Sequence, residues 1–248
     1  MNDTNGKIRI AAIGDLHCPR ISEGLQPLFA QLNEKADVLL LCGDLTDYGR
    51  PDEAQVLAKL LANVKIPILA VLGNHDHECG KADEVTRILS EVGVQILDGE
   101  SRILHGIGFV GVKGFAGGFG DRALQPWGEE ALKLFVREAV DEAVKLESAL
   151  AKLQVPQRIA FLHYSPIQAT VEGEPSEIIP FLGSSRLEDP LNRYAVLAAF
   201  HGHAHHGTPE GRTKADIPVY NVAMPLLQHA FPGKPAFRLM EVAPGKDA

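Results

Sequence analysis

Residues 7–17 read KIRIAAIGDLH: an apolar run, broken only by Arg9 near its start, that stops at a glycine and delivers Asp15 and His17 just beyond it. A run with no polar alternation implies a strand covered on both faces. The same phrase recurs along the chain. DVLLLC (37–42) leads into GDLTDYG with Asp44 and Asp47, and PILAVL (67–72) into GNHDH with Asn74, His75 and Asp76. RIAFL (158–162) leads into His163, and AVLAAF (195–200) into HGHAHHG with His201 and His203. Between the early runs lie helical spacings: Leu25, Leu28, Phe29 and Leu32, then Val56, Leu57, Leu60 and Leu61 after the helix-starting Pro51, Asp52 and Glu53. Val85, Ile88, Leu89 and Val92 repeat the spacing, with Gly93 as a stop. Strand–helix alternation of this kind predicts an α/β fold whose sheet is parallel in its first half.

In an open α/β sheet, ligands bind beyond the carboxyl ends of the strands. Five such ends here carry carboxylates, imidazoles and a carboxamide, nearly all beside a glycine that permits a tight turn. Asp, His and Asn without cysteine form a nitrogen and oxygen donor set suited to Mn, Fe, Zn, Co or Ni. The seven groups Asp15, His17, Asp44, Asn74, His163, His201 and His203 exceed the needs of one ion. Two ions sharing a carboxylate would use them all, and a pair roughly 3.5–4 Å apart is the usual clamp for displacement at phosphorus.

These blocks, D-x-H at Asp15–His17, G-D at Gly43–Asp44, G-N-H-D at Gly73–Asp76, a single His163 and G-H-x-H within the HGHAH segment, resemble the calcineurin-like metallophosphoesterases in order. The resemblance spans residues 15 to 203. It implies a four-layer α/β/β/α sandwich with a dinuclear metal site at the strand ends. One ion would be held by Asp15, His17, Asp44 and His203, the other by Asp44, Asn74, His163 and His201, with Asp44 bridging and a hydroxide between the ions as nucleophile. His75 would face the leaving-group oxygen as general acid. Asp47 would orient His75 or cap the following turn. Tyr48 replaces the arginine of the phosphoprotein phosphatases and G-N-H-D their G-N-H-E, which places the chain nearer the phosphodiesterase-like branch. The implied activity is hydrolysis of small phosphodiesters such as cyclic nucleotides; the alternative is a nucleotide phosphomonoesterase or pyrophosphatase. A metal-free binding scaffold of the same fold predicts lost ligands, and no block lacks one.

Other features read more plainly. His205 and His206 belong to no block as aligned above and read as rim or surface, as do His77, His105 and His229. Asp76 reads as a turn carboxylate, with the steadying of a neighbouring ligand as the alternative. Gly106–Gly111 fits G-x-G-x-x-G, but it leads into VKGFAGGFG rather than an apolar helix, so ILHGIGFVGVKGF reads as a strand or hairpin. A long helix is expected at 129–153, its packing face running from Leu132 through Val140 to Leu150. Residues 165–190 lack helical period and are expected to shape the substrate pocket, with Arg186 as the candidate phosphate contact.

Across its 248 residues the chain carries a net charge of −8, which gives no basic face for a nucleic-acid polymer. The expectation is a single domain acting on a small phosphorylated substrate. Three cysteines without C-x-x-C spacing fit a reducing cytoplasm, no apolar run is long enough for a membrane span, and MNDTNGKIRI has no leader pattern.

Overall fold

The computed structural model describes residues 6–19 and 24–244; residues 1–5, part of the stretch read for a leader, lie outside them. The first half runs β1 (Ile8–Ile13), α1 (Gln26–Lys35), β2 (Val38–Cys42), α2 (Pro51–Leu61), β3 (Ile68–Val71), α3 (Asn74–His77), α4 (Ala82–Ser90), β4 (Val94–Ile96). The second half runs β5 (Glu100–Leu104), β6 (Ile107–Val112), α5 (Glu130–Lys152), β7 (Arg158–Leu162), α6 (Glu188–Arg193), β8 (Ala198–His201), β9 (Glu210–Arg212), β10 (Pro218–Asn221), α7 (Met224–Ala230) and β11 (Arg238–Val242).

Two sheets result. In the first, of order β11-β1-β2-β3-β4, β1 to β4 are parallel and β11 pairs antiparallel with β1. In the second, of order β5-β6-β7-β8-β10-β9, the four central strands are parallel and both edges antiparallel. The apolar runs follow from a strand period of two with both faces covered. Ile10 and Ala12 of β1, with Leu40, Cys42 and Val71, pack against Phe109, Phe161 and Phe200 of the other sheet. Their neighbours Ala11, Ile13, Leu39, Leu41 and Ala70 face the first helical layer, Phe29, Leu32, Leu57, Leu61 and Leu89. On the far side Val110, Val112, Ala160, Leu162 and Ala199 pack against Leu146, Ala149 and Leu150 of α5. This is the α/β/β/α sandwich.

The hairpin expected at ILHGIGFVGVKGF is β5–β6, its turn made by His105 (φ 53°) and Gly106 (φ 73°), the left-handed pair a two-residue hairpin needs. The packing face of α5 differs from the expected one. Val140 is exposed, while Glu142 is buried, accepting from Gly114 N (2.7 Å) and Lys145 Nζ (2.7 Å). The glycine loop after β6 and the 165–190 segment are tied together, Gly117 N donating to Pro180 O and Gly118 N to Gly183 O. Among the described residues no helix is long and apolar enough to cross a membrane.

Candidate metal centre and active site

The carboxyl ends of β1, β2, β3, β7 and β8 meet at one edge, where the chain turns sharply. Asp15 (φ 56°), His17 (41°), Asp44 (47°) and His203 (70°) all adopt the left-handed backbone, a conformation that costs such residues on the order of 1–3 kcal/mol each. Glycines permit the crowding: a Cβ on Gly73 would overlap the Asp44 carboxylate, and one on Gly202 that of Asp15.

Besides a grouping of His17, Asp44 and His75, two groups of donors form among the described residues. In the first, His205 Nε2 lies 3.1 Å from Asp15 Oδ1 and 3.4 Å from His17 Nε2, and His17 Nε2 lies 3.7 Å from Asp44 Oδ2. In the second, His163 Nε2 lies 3.4 Å from Asp44 Oδ1 and 2.9 Å from Asn74 Oδ1, and His203 offers a ring nitrogen within 4.8 Å of both Asp44 and His163. Asp44 thus presents one oxygen to each group.

The imidazoles are held by their outer nitrogens. His163 Nδ1 donates to Cys42 O (3.1 Å) and His203 Nε2 to Phe181 O (3.3 Å), which leaves the other nitrogen of each ring a lone pair facing inward. Burial favours the neutral rings, pushing His203 down to about 3 and His163 well below the ordinary histidine range. His205 shifts the other way, up, because it bonds the Asp15 carboxylate. Burial and the nearby Asp15 push Asp44 up to about 9. Two buried carboxylates and inward-facing imidazole lone pairs, met among the described residues by no cation other than the His205 ring beside Asp15, are a donor set that divalent ions would satisfy. The residues present therefore fit the expected metals.

Asp76 fastens the site from beneath. Fully buried, its carboxylate accepts from Gly73 N (2.8 Å), Leu45 N (3.1 Å), Thr46 N (2.8 Å) and Thr46 Oγ1 (2.6 Å). It stitches the loop holding Asp44 to the one holding Asn74 and His75, which is the steadying role and not that of a plain turn carboxylate. Asp15 does the same across the site, both of its oxygens accepting from His203 N at 2.9 Å.

A family model described as calcineurin-like phosphoesterase matches residues 8–207 of this chain. The chain belongs to the calcineurin-like phosphoesterase family. That family is one of phosphoesterases that use divalent metals. Over 184 residues it is 25% identical to the "Probable glycerophosphodiester phosphodiesterase GpdQ" of Arcobacter nitrofigilis, covering 70% of this chain and 58% of that one. Over 59 residues it is 36% identical to the glycerophosphodiester phosphodiesterase GpdQ of Enterobacter lignolyticus, covering 23% and 21%. The chain thus spans less than two thirds of either relative's length. Among solved structures it superimposes on the phosphopantetheinyl hydrolase PptH of Mycobacterium tuberculosis with a TM-score of 0.67 at 17% identity, covering 95% and 96% of the two chains. That likeness is one of fold.

Within this calcineurin-like phosphoesterase several expected placements change. His201 does not join the cluster. It is the last residue of β8, held there by pairing with Asn221, and its ring lies on the opposite face from the inter-sheet Phe200. Both of its nitrogens are used, Nδ1 donating to Gly202 O (2.7 Å) and Nε2 meeting Thr170 Oγ1 (2.8 Å). The chain leaves extended geometry at His203 (φ 70°), so His201 and His203, two residues apart, do not share one side of a strand. His203 joins Asp44 and His163 rather than Asp15 and His17, and His205, expected at the rim, takes the place beside Asp15. Reading G-H-x-H as Gly202–His205 instead of centring on His201 would have found it.

Asp47 meets His75 through its backbone: His75 Nδ1 donates to Asp47 O at 2.6 Å, while the Asp47 carboxylate lies 3.7 Å from His17 Nδ1. His75 N donates to Asp44 Oδ1 (2.9 Å), and its ring stands edge-on to His17 at 4.5 Å. Arg186 is drawn into the glycine loop instead of the cluster, Nη2 donating to Leu124 O at 2.7 Å.

Proposed function

We propose that this chain, acting as a single domain, hydrolyses small phosphodiesters with two divalent transition-metal ions. One would be held by Asp15, His17, Asp44 and His205, the other by Asp44, Asn74, His163 and His203. The observation that carries the two-ion reading is the division of Asp44, Oδ2 toward His17 and Oδ1 toward His163. Bound ions would supply Lewis-acid charge and an acidified water. The chain's own residues then set the geometry. The Asp47 carbonyl fixes the ring of His75 through Nδ1–H, so that Nε2, once it has taken up a proton from solvent, is the atom that hands one to a departing oxygen and returns to its neutral form. Preference for diesters draws on the two relatives, both named as glycerophosphodiester phosphodiesterases. The test is metal analysis of protein purified without chelator, with turnover of bis-p-nitrophenyl phosphate and p-nitrophenyl phosphate in Mn, Zn, Ni, Co and Fe. Two ions per chain and a faster diester are expected, and Asp44→Asn should abolish both activity and double loading. One ion per chain, or a faster monoester, would overturn the corresponding half of the reading.

A further inference from the structure

Lys113 stands directly after β6, the strand beside β7, and its carbonyl accepts from His163 N (3.0 Å) and Tyr164 N (3.1 Å). It therefore occupies one more strand end at the edge that gathers the metal-site residues. Its side chain is only 16% exposed. An ammonium has three protons to donate, yet among the described residues this one makes a single hydrogen bond, to Gly114 O at 2.8 Å. Its other neighbours are aromatic faces, Phe115 at 4.9 Å and Tyr164 at 5.4 Å. The Tyr164 ring in turn lies 4.5 Å from that of His203 and 5.3 Å from that of His163. The cation is thus one aromatic ring removed from the second ion group.

The plain alternative is that Lys113 neutralises acids of α5. Glu142 does not need it, since Lys145 takes Oε1 at 2.7 Å and Gly114 N takes Oε2. Glu138, half-exposed, comes no nearer than 4.0 Å. A shielded cation with spare donors beside a phosphoester site is a receiver for negative charge, and its aromatic surroundings strengthen the attraction by excluding water.

We propose that Lys113 receives a second anionic group, a phosphate or carboxylate, carried by the substrate beyond its scissile phosphodiester. The inference rests on the phosphodiesterase reading above and narrows its substrate class. Two substrates with one leaving group test it: the p-nitrophenyl ester of thymidine 5′-phosphate, and the same ester bearing a 3′-phosphate. The wild-type protein should favour the ester bearing the 3′-phosphate in kcat/KM by about tenfold or more. Lys113→Met should erase that preference through KM while changing the singly charged ester less than about twofold; Lys113→Arg should retain part of it. A wild type without the preference, or a Lys113→Met variant that keeps it or loses both esters equally, would overturn the inference and leave the phosphodiesterase reading standing. A wild type inactive on both esters would sink that reading instead. Equilibrium dialysis of thymidine 3′,5′-bisphosphate against thymidine 5′-phosphate then decides on Lys113 alone: selective weakening of the bisphosphate by Lys113→Met supports it, equal binding refutes it.

Discussion

Replacing Asp76 by alanine isolates the cost of holding the metal-site loops together. The carboxylate satisfies four buried donors, and Asp76→Ala leaves all four without their acceptor. An unsatisfied buried donor costs about 1–3 kcal/mol. Two offsets reduce the total. Burying the carboxylate is itself unfavourable, which is why burial raises its pKa, and water entering the void can serve some donors. Thr46 Oγ1 can also turn, since it already accepts from Gly49 N at 3.2 Å. The expected net loss is about 3–5 kcal/mol, a large share of the roughly 5–15 kcal/mol that holds a domain folded. Asp76→Asn should cost about 2–3 kcal/mol, because its amide oxygen serves one pair of donors while its NH2 group confronts the other. Thr46→Val should cost about 1 kcal/mol. Urea unfolding in chelator measures these losses without the stabilisation that bound ions add. An Asp76→Ala protein within about 0.5 kcal/mol of wild type would refute the claim that this carboxylate fastens the two loops.

His205→Ala should lose one ion per chain and about a hundredfold or more in kcat. His201→Ala should keep both ions and cost about 1–2 kcal/mol of stability through the lost packing of a buried ring and its bond to Thr170 Oγ1, which keeps Ser165 Oγ and Ile167 O as partners; metal content and urea melts of the two variants distinguish the roles, and the reverse pattern would restore His201 as a ligand. His75→Ala should slow esters with poor leaving groups far more than p-nitrophenyl esters, since an activated group departs without a proton; equal losses count against a proton-donating role. The pH dependence follows from Asp44. Its folded pKa of about 9 lies above the ordinary 3.8, so the ion-free fold binds this proton more tightly than the unfolded chain does. That contribution is fully present below the unfolded value and is lost as pH rises toward 9. Ion binding displaces the proton, so the rise in Tm on adding Mn²⁺ should be larger at pH 8.5 than at pH 6, with proton release detectable by calorimetry in buffers of different ionisation heat.

The strand ends were legible because both faces of each sheet are covered. Ile10 to Ile13 and Val38 to Cys42 stay apolar at every position, so their glycine-marked ends stand out. The late strands were not legible as a set. Neither β9, only three residues long, nor β11, in which exposed Leu239 alternates with partly buried positions, has the apolar signature. The histidine frame failed for a specific reason. Apolarity ends at Phe200, whereas the strand continues to His201 because Asn221 pairs with it. A hydrophobic pattern marks where burial by apolar side chains stops, not where the ladder stops. The bracing role of Asp76 was hard to weigh in the sequence because three of its four partners are backbone N–H groups, which every sequence has.

The strained loops and the buried carboxylates bear on each other. Four candidate ligands sit in left-handed backbone, and Asp15 and Asp44 are both removed from water. Neither feature favours folding without a compensating gain. The backbone cost is countered within the protein, by Asp76 accepting four bonds and Asp15 two, which hold the turns whether or not an ion is present. The charge cost is not: apart from the proton on Asp44 and the His205 imidazole beside Asp15, the described residues bring no cation against either carboxylate. The arrangement is thus rigid in geometry and incomplete in charge. A preorganised site of this kind binds ions without reorganising its loops, so the ions' affinity goes into stability instead of into folding the site. That distinguishes Asp76 from Asp44 experimentally. Loss of Asp76 should weaken the ion-free protein and ion binding together, whereas Asp44→Asn should leave the ion-free fold as stable as wild type or more so, and remove only the stabilisation that ions confer.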